Sequence, residues 1–266
     1  MSFTSFFAAL FAAIAFYTRL PVPIRWALQF ERVACFAPLV GVLLGSGLGF
    51  LDWSLAHLGM PILSRSAVLV AIWLGVTGGL HLDGAIDAAD GLAVPDSNRR
   101  LTVMTESTVG AFGVMSGVLL LLLKVAALAD LSNWRWLALI LAAGWGRWGQ
   151  QVAIAGYPYL KPTGKGVFHK AALPALWHTV PSLLLLLGLS AIPLGLGQSW
   201  ELAAGLAAGL AAGGLIAYGM AAWFAAQFGG HTGDTYGAVV EWTEMLVLML
   251  LVAVQGAVEG FVSTYQ

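Results

Sequence analysis

Charge is the scarcest commodity in this chain. Only 9% of its 266 residues are charged, against roughly a quarter in an ordinary soluble domain. With 59% hydrophobic residues and a mean hydropathy of +0.86, most of its surface has to be solvated by lipid. Cysteine is nearly absent too. The single Cys35 excludes an internal disulfide framework and any cysteine-based zinc site. It stands beside Phe36 at the start of an apolar run and reads as a packed thiol. No basic residue precedes the first apolar stretch, which begins at Phe3, so a cleaved secretory leader is not expected. No polar domain, linker or low-complexity tail interrupts the pattern, so residues 1–266 are expected to form one domain. A P-loop is missing as well: KPTGKGVFHK, Lys161 to Lys170, lacks the Gly-x4-Gly-Lys-Ser/Thr spacing and follows no strand. The net charge of −1 points to no partner, and no nucleic acid is expected.

Long apolar runs and glycine are what the chain has instead. A spanning helix needs about 20 mostly apolar residues. Val33–Leu51, Ser66–Leu80, Val109–Ala129, Trp136–Gly156, Ala175–Leu196, Leu202–Ala226 and Trp242–Val262 qualify, the second if extended back to Pro61. Phe3–Phe16 is short and makes an eighth if it crosses. The expectation is an all-α, polytopic helical bundle of seven to eight spans. The 33 glycines suit close helix packing, most visibly in the AAGLAAGLAAGGL run from Ala203 to Leu215. Such faces also make a homo-oligomer conceivable. Gly144-Trp145-Gly146-Arg147 is expected to bend its helix, with Arg147 snorkelling or turned towards the active site.

If all eight runs cross, four loops share one side: Arg19–Arg32, His81–Thr108, Tyr157–Pro174 and Gln227–Glu241. They carry eight of the twelve basic residues, which makes that side cytoplasmic by the positive-inside rule. The same side carries most of the acids.

The densest polar stretch is HLDGAIDAADGL, His81 to Leu92. Asp83, Asp87 and Asp90 are spaced i, i+4, i+7, which puts three carboxylates on one stripe of a helix. Like charges so arranged at a membrane boundary call for a cation, and a hard divalent ion such as Mg2+ suits an all-oxygen site. Gly84 and Gly91 leave room for a neighbouring backbone or a substrate. His81 falls about 160° from Asp83 on the same helix, off that stripe. A second stretch, GGHTGDTYGAVVEWTE from Gly229 to Glu244, reads as a glycine-rich turn able to cradle phosphate. It carries Asp234, with Glu241 and Glu244 at helical i, i+3 spacing. RRLTVMTESTVGAF, Arg99 to Phe112, and FYTRLPVP, Phe16 to Pro23, add arginines suited to phosphate oxygens. Ser107 and Thr108 are candidate caps for the helix expected near Val109. Carboxylates, a divalent ion, arginines and glycine-rich turns on one aqueous face suggest transfer chemistry on a phosphoanhydride. The residues alone do not name its substrate.

At these four blocks, in order and spacing, the sequence resembles the cobalamin synthase family. The resemblance rests on FYTRLPVP, GGLHLDGAIDAADGL (Gly78 to Leu92), RRLTVMTESTVGAFGV (Arg99 to Val114) and GGHTGDTYGAVVEWTE, and covers nearly the whole chain. It implies a bacterial inner-membrane enzyme that joins adenosylcobinamide-GDP to α-ribazole or its 5′-phosphate and releases GMP, with Mg2+ as cofactor. Carried over residue by residue, it implies Asp83, Asp87, Asp90 and Asp234 as catalytic residues. Asp83, Asp87, Asp90 and Glu244 would hold the metal, and Arg19, His81, Arg100, Ser107 and Gly233 the substrates. One departure stands out: members of the family often have Lys-Asp where this chain has Thr105-Glu106.

Two other classes compete. A CDP-alcohol phosphotransferase also sets spaced aspartates at a membrane helix end, but its pattern has Ala-Arg after the first Asp-Gly. Here Asp90-Gly91 is followed by Leu92-Ala93-Val94. A transporter would scatter ionisable groups across depth, whereas here Lys124 and Arg147 are the basic residues that look intramembrane.

Overall fold

The computed structural model describes residues 3–23, 28–161, 165–195 and 200–264. Among these residues eleven α-helices follow one another: α1 (Phe3–Tyr17), α2 (Val33–His57), α3 (Ile62–Thr77), α4 (Leu80–Ala93), α5 (Ser97–Val103), α6 (Ala111–Asp130), α7 (Arg135–Gly156), α8 (Lys165–Ala172), α9 (Val180–Ser190), α10 (Trp200–Phe228) and α11 (Gly233–Thr264). Short 3-10 turns at Phe30–Arg32, Leu176–Thr179 and Ile192–Gly195 extend α2 and α9. Among the described residues the only strand-like pairing is an isolated parallel bridge between Tyr159 and His231.

Among the described residues, five stretches are long and apolar enough to cross a bilayer: Phe30–His57, Ala111–Asp130, Leu176–Gly195, Ala203–Phe228 and Gly233–Val258. A sixth is the pair α3 and α4 if the two count together, although they are bent by 92°. Large apolar side chains cover the outside, among them Phe50, Leu122, Leu184 and Leu215, as expected where the solvent is hydrocarbon.

The centre of the bundle is α7. Every residue from Leu137 to Ala155 is buried, ringed by α2, α10 and α11. Such a helix need not be as apolar as its lipid-facing neighbours, which is why Arg147, Gln150 and Gln151 sit in it. Its run is unbroken through Gly144 and Gly146. They admit neighbours: a Cβ on Gly146 would lie 2.7 Å from Glu244 Cγ and 2.9 Å from Val240 O. Likewise Gly41 and Gly45 of α2 lie against the α7 backbone at Ala143 and Ile140. The small-residue run of α10 does the same, with Gly213 against the Trp145 ring and Trp145 Nε1 donating to Leu210 O at 2.7 Å.

Arg147 therefore neither snorkels nor faces the acidic stripe. It is fully enclosed and donates to Glu244 Oε1 at 2.8 Å. Lys124 of α6 donates to Glu241 Oε2 at 2.6 Å and to Glu244 Oε2 at 2.7 Å, and lies 4.8 Å from the Trp73 ring centroid. Two cations and two carboxylates thus neutralise one another in the interior, the usual condition for charges at this depth. At the far end of α2 and α3, Asp52 is held by Arg65 at 2.7 Å and by Arg135 at 2.8 Å.

Candidate active site

The site is built on the turn between α3 and α4. Gly78 (φ 64°) and Gly79 (φ 72°) are both left-handed, a conformation glycine adopts without strain. Gly79 N–H donates to Leu74 O and Gly78 N–H to Gly75 O, each at 3.1 Å, the pair of bonds of a Schellman stop. The chain leaves α3 at a right angle, and α4 packs against α6 and α11. Its buried face, with Leu82, Ala85 and Ala88, packs on them. Gly84 lets α11 approach so closely that a Cβ there would sit 2.5 Å from Asp234 O. Gly237 reciprocates: its Cβ would meet His81 O at 2.7 Å. Contact between α4 and α11 is therefore backbone to backbone, and it brings Asp234 beside the aspartate stripe.

The expected glycine-rich turn proves much shorter than Gly229–Glu244. Helix α11 begins at Gly233, because Thr232 and Thr235 cap each other. Thr235 N–H donates to Thr232 Oγ1 at 3.3 Å and Thr232 N–H to Thr235 Oγ1 at 2.8 Å, in the manner of a capping box. Asp234 thus occupies the first turn, where the positive end of the helix dipole favours a carboxylate. Gly233 is exposed, and a Cβ there would meet open space.

Asp83 is exposed, while Asp87 and Asp90 are half-buried. Burial and the charges of Asp83, Asp234 and Asp90 push the Asp87 carboxyl up to about 6, while Lys161 pulls it down. Lys161 Nζ donates to Asp234 Oδ2 at 3.1 Å. Asp83 also borders a cleft of about 580 Å³ shared with Thr18, Arg19, Gly78, Gly79 and Ile86. Arg19 is anchored there by its own N–H, which donates to Val76 O at 2.7 Å.

The other residues singled out in the sequence are placed differently. Both carboxylate oxygens of Asp90 accept backbone N–H groups at 2.7 Å, from Gly110 and from Gly113. Asp90 therefore caps α6, in place of the expected Ser107 and Thr108, which lie exposed in the preceding loop. Arg100 is spent on carbonyls, donating to Val94 O at 3.2 Å and Gln227 O at 2.8 Å, and so ties α5 to the end of α10. His81 is buried and stacked on Tyr17, ring centroids 6.0 Å apart. Glu244 belongs to the interior ion pairs rather than to the stripe. Arg25 lies outside the described residues.

A divalent cation fits what remains. Asp83, Asp87 and Asp234 against one ammonium leave two negative charges unmatched, and all the donors are hard oxygens. Among the described residues no three acids or histidines form a ready-made metal cage. Mg2+ usually keeps several waters and is shared between one or two carboxylates and substrate phosphates. Lys161, Tyr17 and the pairing of Lys124 and Arg147 with Glu241 and Glu244 escaped the sequence reading. For the last, the signal was present: two cations in apolar runs require two buried partners.

The sequence profile of the cobalamin-5-phosphate synthase family matches residues 9–252. An adenosylcobinamide-GDP ribazoletransferase of Trichormus variabilis is 54% identical over 242 residues, covering 91% of this chain and 95% of the relative. Proteins of the same name from Synechocystis (52% identical, 90% of this chain and 92% of the relative) and Thermosynechococcus vestitus (49%, 89% and 93%) are also similar. No solved structure matches the chain. With the match running from α1 through most of α11, this chain belongs to the cobalamin-5-phosphate synthase family.

Proposed function

We propose that the chain is a transferase that joins adenosylcobinamide-GDP to α-ribazole, or its 5′-phosphate, and releases GMP, the step that assembles the nucleotide loop of cobalamin. The observation that carries this reading is the convergence of Asp83, Asp87 and Asp234 beside the Arg19 cleft, within the span that the family profile matches. Asp83 borders the cleft and also acts on Asp87, the neighbour of Asp234 and Lys161. A ribazole hydroxyl attacks the phosphorus on the cobinamide side, a new P–O bond forms, and the bond to GMP breaks. A carboxylate of this group accepts the hydroxyl proton. Arg19 steadies phosphate oxygens, and the exposed first turn of α11 at Gly233 offers N–H groups to them. Bound Mg2+, held by Asp83 and Asp87 with Asp234 beside them, would offset diphosphate charge and that of the leaving phosphate. Asp90 and Glu244 serve it indirectly, the first by fixing α6 and the second by fixing α7 against α11.

In this reading the protein is one unit of the bacterial inner membrane, crossed by α1, α2, α3, α6, α7, α9 with its flanking turns, α10 and α11. The site then faces the cytoplasm, in line with the basic residues of the same loops. The test is turnover by protein in nanodiscs, given adenosylcobinamide-GDP and α-ribazole with and without Mg2+, followed by chromatography of corrinoid and GMP. Equimolar cobalamin and GMP that depend on the metal are expected. Folded protein yielding neither product would overturn the proposal.

A further inference from the structure

Three lysines lie between Tyr157 and Lys170, and the structure assigns two of them clear and different duties. Lys170 Nζ donates to Ile154 O, Ala155 O and Tyr157 O at 2.8, 2.9 and 3.1 Å. It caps the C-terminal carbonyls of α7, where a cation is favoured. Lys161 points the other way, into the acidic group. Its backbone is fixed there rather than left to the loop. Leu160 N–H donates to His231 O, and His231 N–H to Pro158 O, both at 2.8 Å. The Tyr159 ring stacks on Tyr236 of α11 at 6.0 Å. Gly230 is needed for this approach, since a Cβ there would lie 2.7 Å from Pro158 O. A short strap is thereby pinned to the entrance of α11, and it delivers an ammonium to Asp234 next to Asp87.

That ion pair has little to recommend it as a stabilising device. Lys161 keeps 36% and Asp234 26% of their side-chain exposure, and pairs so open contribute little to folding. The strap needs no lysine for its own hydrogen bonds, which are all main chain. Yet the ammonium sits on Asp234, beside the Asp87 carboxylate. Resting on the transfer reaction above, we propose that Lys161 is a substrate-binding residue. It is a counter-ion that neutralises Asp234 before substrate arrives and moves to a diphosphate oxygen when a divalent cation takes over the carboxylates. Its flexible stem and three rotatable donors suit such an exchange.

This account makes two measurements move in opposite directions. Lys161→Met should bind Mn2+ alone more tightly, by about threefold or more, because a competing cation has been removed from the acids. The same variant should bind adenosylcobinamide-GDP with Mg2+ about 10- to 100-fold more weakly, the scale of a charge-assisted contact. Lys161→Arg should restore most of the second effect. Electron paramagnetic resonance of Mn2+ and calorimetry of the ligand, both on full-length protein in nanodiscs, read the two. A lysine with only a structural role would leave the ligand affinity unchanged, and that result overturns the proposal, as does weaker Mn2+ binding in Lys161→Met. Magnesium pyrophosphate serves as a second ligand. If wild type makes no cobalamin yet binds magnesium pyrophosphate in a Lys161-dependent way, the transfer reaction fails and this assignment stands. If wild type makes cobalamin and Lys161→Met binds both ligands as tightly, the assignment fails and the reaction stands.

Discussion

Asp83, Asp87 and Asp90 lie on one helical stripe but have different surroundings, and substitutions should separate them. Asp83→Asn and Asp87→Asn keep shape and hydrogen-bonding groups on exposed or half-buried positions. Both should lower GMP release by at least about 100-fold while thermal unfolding changes by no more than about 0.5 kcal/mol. Asp90→Ala should instead cost about 1–2 kcal/mol of stability, as a lost helix cap does, because two N–H groups of α6 would lose their acceptor. The raised value of Asp87 gives a further expectation. Protonation competes with cation binding, so Mn2+ affinity should rise as pH increases through about 6 and level off above it. A titration of affinity between pH 5 and 8 checks this; a flat profile would mean that Asp87 is not at the cation.

At the scale of elements, the sequence was most readable where a pattern is local. Apolar runs located α6, α7 and α10 to within two residues at each end, and the reach back to Pro61 matches α3, whose N-cap is Pro61. The aspartate stripe was legible because i, i+4, i+7 spacing needs only one helix. The start of α11 was missed because glycines at Gly233 and Gly237 look like a turn. Their reasons lie elsewhere in the chain: an open first turn at one, the backbone of His81 at the other. The cap of α6 was misassigned for the same cause, since Ser107 is nearby in sequence and Asp90 is nearby only in space. Gly84→Ala tests the backbone contact of α4 with α11. It must push Asp234 aside, so turnover should fall about 100-fold, the usual effect of a displacement near 1 Å, with helix content by circular dichroism unchanged.

Across the whole molecule, polar groups are sorted into three levels. Asp52, Arg65 and Arg135 tie one end of the bundle, the pairs of Lys124 and Arg147 with Glu241 and Glu244 hold the middle, and the aspartates occupy the other end. Removing one charge from the middle should cost stability, not only chemistry. Glu244→Gln leaves Arg147 and Lys124 short of a partner and should destabilise the protein by about 3–5 kcal/mol, read as a lower unfolding temperature in detergent. The account turns on the claim that chemistry resides at the end of the bundle where α4 crosses α11, and it is tested most directly by single-turnover GMP release. Wild type, Asp87→Asn and Glu244→Gln would be compared at equal amounts of folded protein. The account predicts that Asp87→Asn releases GMP at least about 100-fold more slowly, while the folded fraction of Glu244→Gln stays within about tenfold of wild type. Full activity in Asp87→Asn with none in folded Glu244→Gln would place the chemistry in the bundle interior and contradict it.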